Sequence, residues 1–485
     1  MATRTYREAV DHLNSLQSNA ATLEAVRASG GRLSQFAIPE MTSDLNKLNV
    51  IHITGTKGKG STSAFTDSII RRTRPDWKTG LYTSPHLVAV RERIRVNGAP
   101  ISEEVFTKYF FEVWDKLKDN AKVAPNLRTL YPTANLGKQT VNPQTPLMPG
   151  YFRFVTLLAF HTFLELQVDA TILEVGVGGR YDSTNIVPKP IVTGITALGL
   201  DHTAILGKTL QDIAWQKGGI FKASEFVVIP PVAGLSELKL GLAGKHQYQN
   251  ATLAVHLAKK FIAVQTSESV DVDLPPSFVE GLKSTKWPGR CQTVSDPAHA
   301  GTTWFLDGAH TLESLQCCMQ WYVSPDAALR TSPQFENRSR VLIFNCTNGR
   351  SGNTFLGAML KGAADQLKAH DAADTDTATL FDQVVFCANV TYADGGFKGD
   401  LTTLAIPEAD LAHLKTQHEL ADAWASLVPS FPKENIHVLP SIEHAVNVVR
   451  KLRTSVEKDV DVLVAGSLHL VGGVIEVAGL SDIAL

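Results

Sequence analysis

The segment Asn49–Ser63, NVIHITGTKGKGSTS, constrains the fold of this chain more than any other segment. Its apolar run Val50–Ile53 predicts a buried strand, the glycines that follow predict a tight loop, and Ser61 opens a predicted helix. A strand, a loop and a helix in this order present backbone N–H groups and a helix N-terminus to an anion. Lys59 would add positive charge for the β- and γ-phosphates, and the Ser61 hydroxyl would bind Mg²⁺. The segment therefore predicts a site for a nucleoside triphosphate.

This loop departs from the common P-loop pattern, G-x-x-x-x-G-K-[ST], at two positions. Ile53 stands where the first glycine would be, and Gly60 stands where the hydroxyl residue would be. The alternative interpretation is a glycine-rich turn with a solvated lysine. The strand pattern before the loop and the helix pattern after it favour the phosphate site.

The composition is typical of an intracellular enzyme with several domains. The chain has 485 residues, enough for two or three domains. Its 46 basic and 48 acidic residues nearly cancel, which disfavours nucleic-acid binding. Its five cysteines lack C-x-x-C spacing and indicate reduced thiols. With no apolar run of membrane-spanning length and no evident transit peptide, we expect a cytoplasmic monomer, although a mitochondrial isoform from another start site would be invisible here.

Apolar, β-branched segments that end in polar or glycine-rich clusters recur along the chain and alternate with helical patterns. Such an alternation predicts an α/β protein with parallel sheets, whose ligands bind beyond the carboxyl ends of the strands. The predicted strands are Val50–Ile53, Lys78–Tyr82, Ala170–Val175, Ile191–Leu198, Trp304–Leu306, Val341–Asn345, Val384–Cys387 and Val462–Ala465, and the predicted helices include Phe152–Glu165 and Ala251–Val264.

Two domains are expected, at residues 1–296 and 297–485. The sequence Trp287-Pro288-Gly289-Arg290 closes one unit, and a new strand begins at Thr302. Residues Asn120–Gly150 are rich in Pro, Asn, Thr and Gln and predict a long surface loop. Asp371–Thr379 predicts a second polar connector.

Polar side chains follow several of the predicted strands. Ser84, Glu174 and His202 each come after such a strand, and each alone has an ordinary structural interpretation as a turn residue or hydrogen-bonding group. Together they would suit Mg²⁺, which takes few protein ligands and bridges phosphates. Lys217 is, on its own, typical of a cation near a helix C-terminus. Arg290, Asp307 and His310 are further polar groups of a predicted cleft, where an arginine suits phosphate.

Seven segments together resemble folylpolyglutamate synthase of the eukaryotic type, which belongs to the ATP-dependent Mur ligase superfamily. The resemblance runs from about Tyr6 to about Gly473 and implies a P-loop ATPase domain with a parallel sheet, followed by a smaller Rossmann-like C-terminal domain. In chain order the segments are GTKGKGST, YTSPHLVAVRERIRVNG, EVGVGGRYDSTN, LGLDHTAILGKTLQDIAWQKGGIFK, TKWPGR, FLDGAHTLESL and GSLHLVGG.

The resemblance implies that the chain adds L-glutamate to the γ-carboxyl of tetrahydrofolate and of folylpolyglutamates, after ATP has phosphorylated that carboxyl. Mg²⁺ is the implied metal, and a monovalent cation is a further candidate. Lys217 matches a lysine that becomes carbamylated in the family. The implied site residues are Lys59, Lys217 and His310 for catalysis, Gly58, Lys59, Gly60, Ser61, Arg290 and Asp307 for ATP, and Ser61, Ser84, Glu174 and His202 for the metal.

Several alternatives remain open from the sequence. Dihydrofolate synthase, alone or combined with the first activity, uses the same ATP chemistry, so the catalytic residues do not separate the two. The segment Ala223–Ala243 is shorter than the family implies by roughly a helix and a strand, so a nucleotide-binding scaffold without catalysis is a third interpretation. Arg91, Arg93 and Arg95 predict a solvated or salt-bridged strand face, although they could meet an anionic glutamate tail.

Overall fold

The computed structural model describes most of the chain. The chain divides into two compact units. The first unit comprises Met1–His86, Arg91–Glu237 and Asn250–Leu282, and the second comprises Leu87–Val90, Leu238–Gln249 and Lys283–Leu485. Among the described helices, none combines the length and apolar composition that crossing a bilayer requires. The described residues are 4–17, 44–123, 148–222, 227–268, 274–325, 327–329, 338–346, 351–370, 376–394, 413–456 and 458–485.

The first unit contains a six-stranded sheet in the order β4-β3-β2-β5-β1-β6. Strands β2, β5, β1 and β6 are parallel, and β3 and β4 add an antiparallel edge. Every residue of β1 and β5 is buried, as expected for strands at the centre of a parallel sheet. The strands are β1 (Val50–Thr54), β2 (Thr79–Tyr82), β3 (Ile94–Val96), β4 (Ala99–Pro100), β5 (Ala170–Glu174) and β6 (Val192–Ile195).

Eight helices precede the second sheet among the described residues. The first of them is amphipathic, because Ala9, Val10 and Leu13 are buried, and its start is fixed by a capping box between Thr5 and Glu8. The helices are α1 (Tyr6–Asn14), α2 (Lys59–Thr73), α3 (Glu103–Val123), α4 (Tyr151–Glu165), α5 (Thr203–Leu206), α6 (Leu210–Gly218), α7 (Gln247–Thr266) and α8 (Pro276–Ser284).

The second unit contains another six-stranded sheet, in the order β11-β10-β9-β12-β8-β7. Five strands are parallel, and β7 pairs antiparallel with β8 at one edge. The strands are β7 (Gln292–Ser295), β8 (Thr302–Leu306), β9 (Arg338–Phe344), β10 (Gln383–Cys387), β11 (Ile436–Leu439) and β12 (Asp459–Ala465).

Helices cover both faces of this second sheet. Successive residues of β8 enter opposite cores, since Phe305 packs with one buried cluster and Trp304 with the other. The first cluster takes side chains from α9, α10 and α11, and the second takes side chains from α12 and α13. The helices are α9 (Leu312–Tyr322), α10 (Gly352–Ala369), α11 (Lys415–Leu427), α12 (Ile442–Val456), α13 (Leu468–Val477) and α14 (Ser481–Ala484).

The eight predicted strands and two predicted helices are all present, with ends shifted by a few residues. The domain boundary between residues 296 and 297 stays a prediction; the compact units change over at residues 282 and 283, and β7 belongs to the second sheet. The predicted loop Asn120–Gly150 is wrong at its start, because α3 continues to Val123. Residues 124–147 and 371–375 lie outside the described residues, and Thr377–Thr379 forms a 3-10 turn.

Two further differences from expectation concern the edges of the first sheet. Arg93 and Arg95 are 7% and 5% exposed, so the solvated alternative of the predicted strand face is wrong for these two residues, and the salt-bridged alternative stays a prediction. Arg95 lies in the hairpin of β3 and β4, and Arg93 lies in the turn that leads into it. These strands of three and two residues are too short to show an alternating pattern in the sequence. At the other edge, the described residues 227–243 contain a 3-10 turn, Leu235–Glu237, and no strand, so the sheet ends at β6.

Candidate active site

The loop between β1 and α2 has the geometry of a phosphate cradle. Gly55 and Gly58 have φ angles of 150° and 87°, and α2 begins at Lys59 directly after Gly58. A Cβ atom on Gly58 would lie 2.0 Å from Asn250 Oδ1, and one on Gly55 would lie 1.7 Å from Thr196 Oγ1. Backbone conformation and close packing therefore both require glycine at these two positions. The loop amides lie at the N-terminus of α2, where they can bind an anion.

Two lysine side chains converge on one carbonyl oxygen of this loop. Lys59 Nζ donates a hydrogen bond to Gly55 O at 3.2 Å, and Lys217 Nζ donates to the same oxygen at 2.7 Å. Lys217 is 3% exposed and lies in α6. Desolvation, followed by the positive charge of Lys59, lowers the pKa of Lys217 to about 8. Two cations held this close together suit a polyanionic ligand such as a triphosphate.

A second contact joins the phosphate loop to the residues after β6. Lys57 Nζ lies 3.1 Å from Asp201 Oδ2. The other oxygen of Asp201 accepts a hydrogen bond from the backbone N–H of His202 at 2.9 Å. Desolvation and the positive charges of Lys59, Lys217 and Lys57 lower the pKa of His202. A neutral imidazole is therefore present at neutral pH, and that is the form that binds a metal ion.

Glu174 lies at the carboxyl end of β5, in register with Ile53 of the neighbouring β1. Its side chain is buried, at 4% exposure, and its Oε2 accepts a hydrogen bond from the backbone N–H of Ser84 at 2.8 Å. Ser61 lies in the first turn of α2 and is 5% exposed. The first unit therefore carries the six residues predicted for the metal and for catalysis there, namely Lys59, Ser61, Ser84, Glu174, His202 and Lys217.

These donors fit Mg²⁺ by their chemistry. Ser61, Ser84 and Glu174 offer oxygen atoms, which this hard cation prefers, and His202 adds one imidazole. Among the described residues, no group of three or more His, Cys, Asp or Glu side chains could hold a metal ion by itself. Such a small protein donor set suits an ion that keeps several waters and is shared with the phosphates of a nucleotide.

The three remaining predicted residues lie in the second unit, around the loop that follows β8. Asp307 is 6% exposed, and its carboxylate accepts hydrogen bonds from Cys291 N, Cys291 Sγ and Ala309 N at 2.8, 3.0 and 2.8 Å. Arg290 Nη1 donates to Gly289 O at 3.0 Å, and His310 Nδ1 lies 2.7 Å from Gly308 O. A Cβ atom on Gly308 would lie 2.8 Å from Arg290 Nη1, so Arg290 packs directly against this loop.

Sequence reasoning did not single out Lys57, Asn250 or Cys291. The position of Lys57 between two loop glycines was a usable signal, because a second loop lysine adds to the positive charge facing a phosphate. Asn250 and Cys291 gave no such signal. Asn250 packs against Gly58, 192 positions away in the chain, and Cys291 donates to Asp307, 16 positions away. Only the folded structure reveals these two contacts.

Comparison with known proteins identifies the family. No protein-family model matches the chain. Folylpolyglutamate synthase of Saccharomyces cerevisiae (strain AWRI796) is 39% identical, and the alignment covers 100% of this chain and 88% of the relative. The chain belongs to the folylpolyglutamate synthase family. The same protein from strain S288c is also 39% identical with the same coverage.

Solved structures share the fold of this folylpolyglutamate synthase family member. Folylpolyglutamate synthase of Mycobacterium tuberculosis, complexed with ADP, gives a TM-score of 0.65 at 20% identity and covers 98% of this chain and 99% of its own. FolC of Escherichia coli, in complex with DHPP and ADP, gives a TM-score of 0.62 at 20% identity and covers 99% of both chains. These structures confirm the two-domain α/β fold that the sequence predicts.

Proposed function

We propose that this chain is an ATP-dependent ligase that adds L-glutamate to the γ-carboxyl of tetrahydrofolate and of its polyglutamates. The observation that carries the proposal is the convergence of Lys59 and Lys217 on the Gly55 carbonyl. This pair of cations lies at the phosphate loop, one strand away from Glu174. Such a site fits a nucleoside triphosphate and its metal ion, and the family relatives are named for this ligation.

The chemistry needs two steps because a carboxylate is a poor electrophile. The γ-carboxylate oxygen first bonds to the γ-phosphorus of ATP, and the bond to ADP breaks. The amine nitrogen of glutamate then attacks the carbonyl carbon of the acyl phosphate, loses a proton, and expels inorganic phosphate. Lys59 and Arg290 stabilise the negative charge that develops on the transferring phosphoryl group and on the tetrahedral intermediate.

Ser61, Ser84, Glu174 and His202 are the residues that would hold Mg²⁺. When bound, the ion neutralises the charge of the phosphate oxygens. The loop amides at Gly58 and Gly60 hold the same phosphates through backbone donors. A monovalent cation remains a proposed second ion, without a protein site assigned to it.

Lys217 is the proposed site of carbamylation. The reaction joins the amine nitrogen to the carbon of CO₂ and releases a proton, so it requires the neutral amine. A pKa of about 8 gives Lys217 far more neutral amine at pH 7 than an ordinary lysine has. The product is an anion, which attracts Mg²⁺ where an ammonium group would repel it.

In the second unit, Arg290 and Asp307 are proposed to contact ATP, and His310 is proposed to place glutamate or phosphate. The carboxylate of Asp307 is held by three protein donors, so it is rigidly oriented before any ligand arrives. We further infer a monomeric protein in the cytoplasm. The five cysteines are free thiols, four of them buried, as expected of a reducing compartment.

The test is incorporation of labelled glutamate into tetrahydrofolate with Mg²⁺ and ATP, beside a parallel reaction on dihydropteroate. We expect incorporation into tetrahydrofolate, and its loss in Lys59→Ala. Lys208→Ala is the matched control, since Lys208 is an exposed lysine of the same unit. Turnover of dihydropteroate alone would reassign the chain as a dihydrofolate synthase. A wild-type protein that folds and binds ATP but incorporates no glutamate would support the scaffold interpretation.

A further inference from the structure

Cys291 has a backbone conformation that residues with a side chain rarely adopt. It directly follows Arg290 in the second unit, and its φ angle is 45°. This left-handed conformation is unfavourable for a residue with a Cβ atom, and glycine is the residue that adopts it readily. Proteins retain such a conformation where surrounding contacts compensate for its cost. A specific contact should therefore explain the cysteine at this position.

Both hydrogen-bond donors of Cys291 contact the same oxygen atom of Asp307. The backbone N–H donates to Asp307 Oδ2 at 2.8 Å, and the thiol donates to that oxygen at 3.0 Å. Each of the two residues is 6% exposed, so the contact is shielded from solvent. Burial, and then the negative charge of Asp307, raise the pKa of the Cys291 thiol well above its usual value. The thiol therefore keeps the proton that it donates.

The hydrogen bonds of Asp307 leave one acceptor position of its carboxylate open. A carboxylate has two oxygen atoms with about two lone pairs each. Oδ2 accepts two hydrogen bonds from Cys291, and Oδ1 accepts one, from Ala309 N at 2.8 Å. Among the described residues, no further donor contacts this carboxylate. One lone pair of Oδ1 is therefore available to a ligand.

An open carboxylate lone pair limits which part of a nucleotide Asp307 can contact. Phosphate oxygens accept hydrogen bonds and carry negative charge, so a carboxylate repels them. The hydroxyl and amino groups of a nucleoside donate hydrogen bonds and therefore suit a carboxylate oxygen. As a proposed contact of ATP, Asp307 is suited to the nucleoside and not to the triphosphate.

We propose that Cys291 is a positioning residue for nucleotide binding, whose thiol holds the Asp307 carboxylate in the orientation that presents Oδ1 to the nucleoside. The inference rests on the proposed function, since it concerns the binding of ATP. With the thiol in place, rotation of the carboxylate would break both hydrogen bonds on Oδ2. Without the thiol, Oδ2 keeps only the backbone donor. The carboxylate then rotates more freely, and ordering it on binding costs free energy.

The test compares Cys291→Ala, which removes the thiol donor, with Cys291→Ser, which keeps a hydroxyl donor at the same position. Cys387→Ala is the matched control, because Cys387 is fully buried in β10 and burial is the cause of its raised thiol pKa. We expect Cys291→Ala to bind ATP with Mg²⁺ about 3- to 10-fold more weakly than wild type. Cys291→Ser and Cys387→Ala should stay within about twofold. Titration calorimetry measures these affinities.

Two further measurements separate positioning from a general effect on the fold. Inorganic tripolyphosphate carries the phosphates without the nucleoside, so Cys291→Ala should bind it as tightly as wild type does. Asp307→Ala, with and without Cys291→Ala, completes a double-mutant cycle. In the Asp307→Ala background, loss of the thiol should not weaken ATP binding further, because the thiol acts through that carboxylate.

Cys291→Gly keeps the test decisive if Cys291→Ala does not fold. Glycine adopts a φ of 45° without strain, so this variant retains the backbone donor and lacks the thiol. We expect Cys291→Gly to resist urea at least as well as Cys291→Ala, and still to bind ATP about 3- to 10-fold more weakly than wild type. A purely conformational role of Cys291 predicts unchanged ATP affinity in this variant.

Four outcomes would overturn the inference. The first is a wild-type affinity for ATP in Cys291→Ala and Cys291→Gly. The second is a loss in Cys291→Ser or Cys387→Ala as large as that in Cys291→Ala. The third is an equal loss of affinity for tripolyphosphate, and the fourth is a further loss in the Asp307→Ala background. Failure of the proposed function is a separate result, namely a set of variants that shows the expected ATP affinities while the wild-type protein incorporates no glutamate.

Discussion

At the scale of single residues, the phosphate loop depends on a glycine whose conformation and surroundings both exclude a side chain. Gly58 has a φ of 87°, and its missing Cβ leaves the space that Asn250 Oδ1 occupies. The left-handed conformation alone costs an ordinary L-residue about 1–2 kcal/mol. The steric contact adds to that cost and displaces either Asn250 or the loop.

Gly58→Ala should therefore destabilise the protein and weaken nucleotide binding. Gly479→Ala is the matched control, because Gly479 has a φ of 71° with nothing within 4 Å of the added Cβ. We expect the control to lose about 1 kcal/mol of unfolding free energy and to keep its affinity for ATP. Gly58→Ala should lose more stability and bind ATP at least tenfold more weakly. Urea unfolding and ATP titration measure both quantities, and equal losses in the two variants would contradict the packing argument.

The charge of Lys217 makes a second prediction at this scale. Burial and Lys59 lower its pKa in the folded protein from 10.5 to about 8. At a pH between these two pKa values, Lys217 is more protonated in the unfolded chain than in the folded protein, so the free energy of unfolding rises with pH. Below pH 8 the lysine is charged in both states and this gain is absent.

Wild type should gain on the order of 1 kcal/mol of unfolding free energy relative to Lys217→Met between pH 8 and pH 10. Urea unfolding in CO₂-free buffer with a chelator measures the difference, since neither carbamylation nor metal binding then contributes. Lys208→Met, which removes an exposed lysine, is the control and should show no such trend. A wild-type stability that falls relative to Lys217→Met over this range would mean that the pKa is raised.

At the scale of secondary-structure elements, a chain of hydrogen bonds joins β1 to the glycine-rich loop after β5. His52 Nε2 lies 2.9 Å from Thr184 Oγ1, and Thr184 Oγ1 donates to Asp182 Oδ1 at 2.6 Å. Asp182 Oδ2 accepts from Val177 N at 3.0 Å. Burial lowers the pKa of His52 to about 3, so the ring is neutral and its Nε2–H donates to Thr184. The relay holds the loop that follows Glu174.

Thr184→Val should break this relay while keeping the shape of the side chain. The change leaves a buried imidazole N–H without its acceptor, which should cost about 1–3 kcal/mol of unfolding free energy. Thr171→Val is the control, because Thr171 is equally buried in β5 and its hydroxyl has no partner among the described residues. The control should be neutral or slightly stabilising, and Thr184→Ser should restore most of the loss. Thermal unfolding of the three variants measures these differences in stability. Equal losses of stability in Thr184→Val and Thr171→Val would show that the relay does not stabilise the fold.

At the scale of the whole molecule, each compact unit has its own sheet, and the second sheet contains a buried ion-pair network. Arg338 in β9 contacts Asp459 at 2.6 Å and Asp461 at 2.7 Å, both in the adjacent β12. The side chains of Arg338 and Asp461 are 10% and 2% exposed. Removal of one partner from such a pair leaves a buried charge, which is far more costly than the pair itself is stabilising.

Arg338→Met should lower the free energy of unfolding of the second unit by about 3–5 kcal/mol. Lys47→Met removes an exposed pair with Asp44 and should cost less than about 1 kcal/mol. Hydrogen exchange provides the readout with spatial resolution. Amides of β8, β9 and β12 should exchange faster in Arg338→Met, while those of β1 and β5 in the first unit keep their protection. Faster exchange in both sheets would show that the two units unfold together.

Part of this protein follows from its sequence alone. The order of apolar runs, glycines and helix starts predicts the strand–loop–helix of residues 49–63 and the central strands, because these signals depend on neighbouring residues and on the periodicity of one element. The string of motifs predicts the family. The burial of Arg93 and the hairpin around it were not predictable, because neither strand of that hairpin is long enough to show an alternating pattern.

Tertiary structure alone decided which side chains meet. Lys59 and Lys217 contact the same carbonyl oxygen because the fold brings α6 beside the phosphate loop. Lys217 is 162 residues away from Gly55 in the chain. The Thr184 relay has the same origin, since its members lie in different elements. Local sequence determines backbone conformation and the face that each element buries. Distances between the polar groups of different elements depend on strand order and register, which the packing of the complete sheet determines.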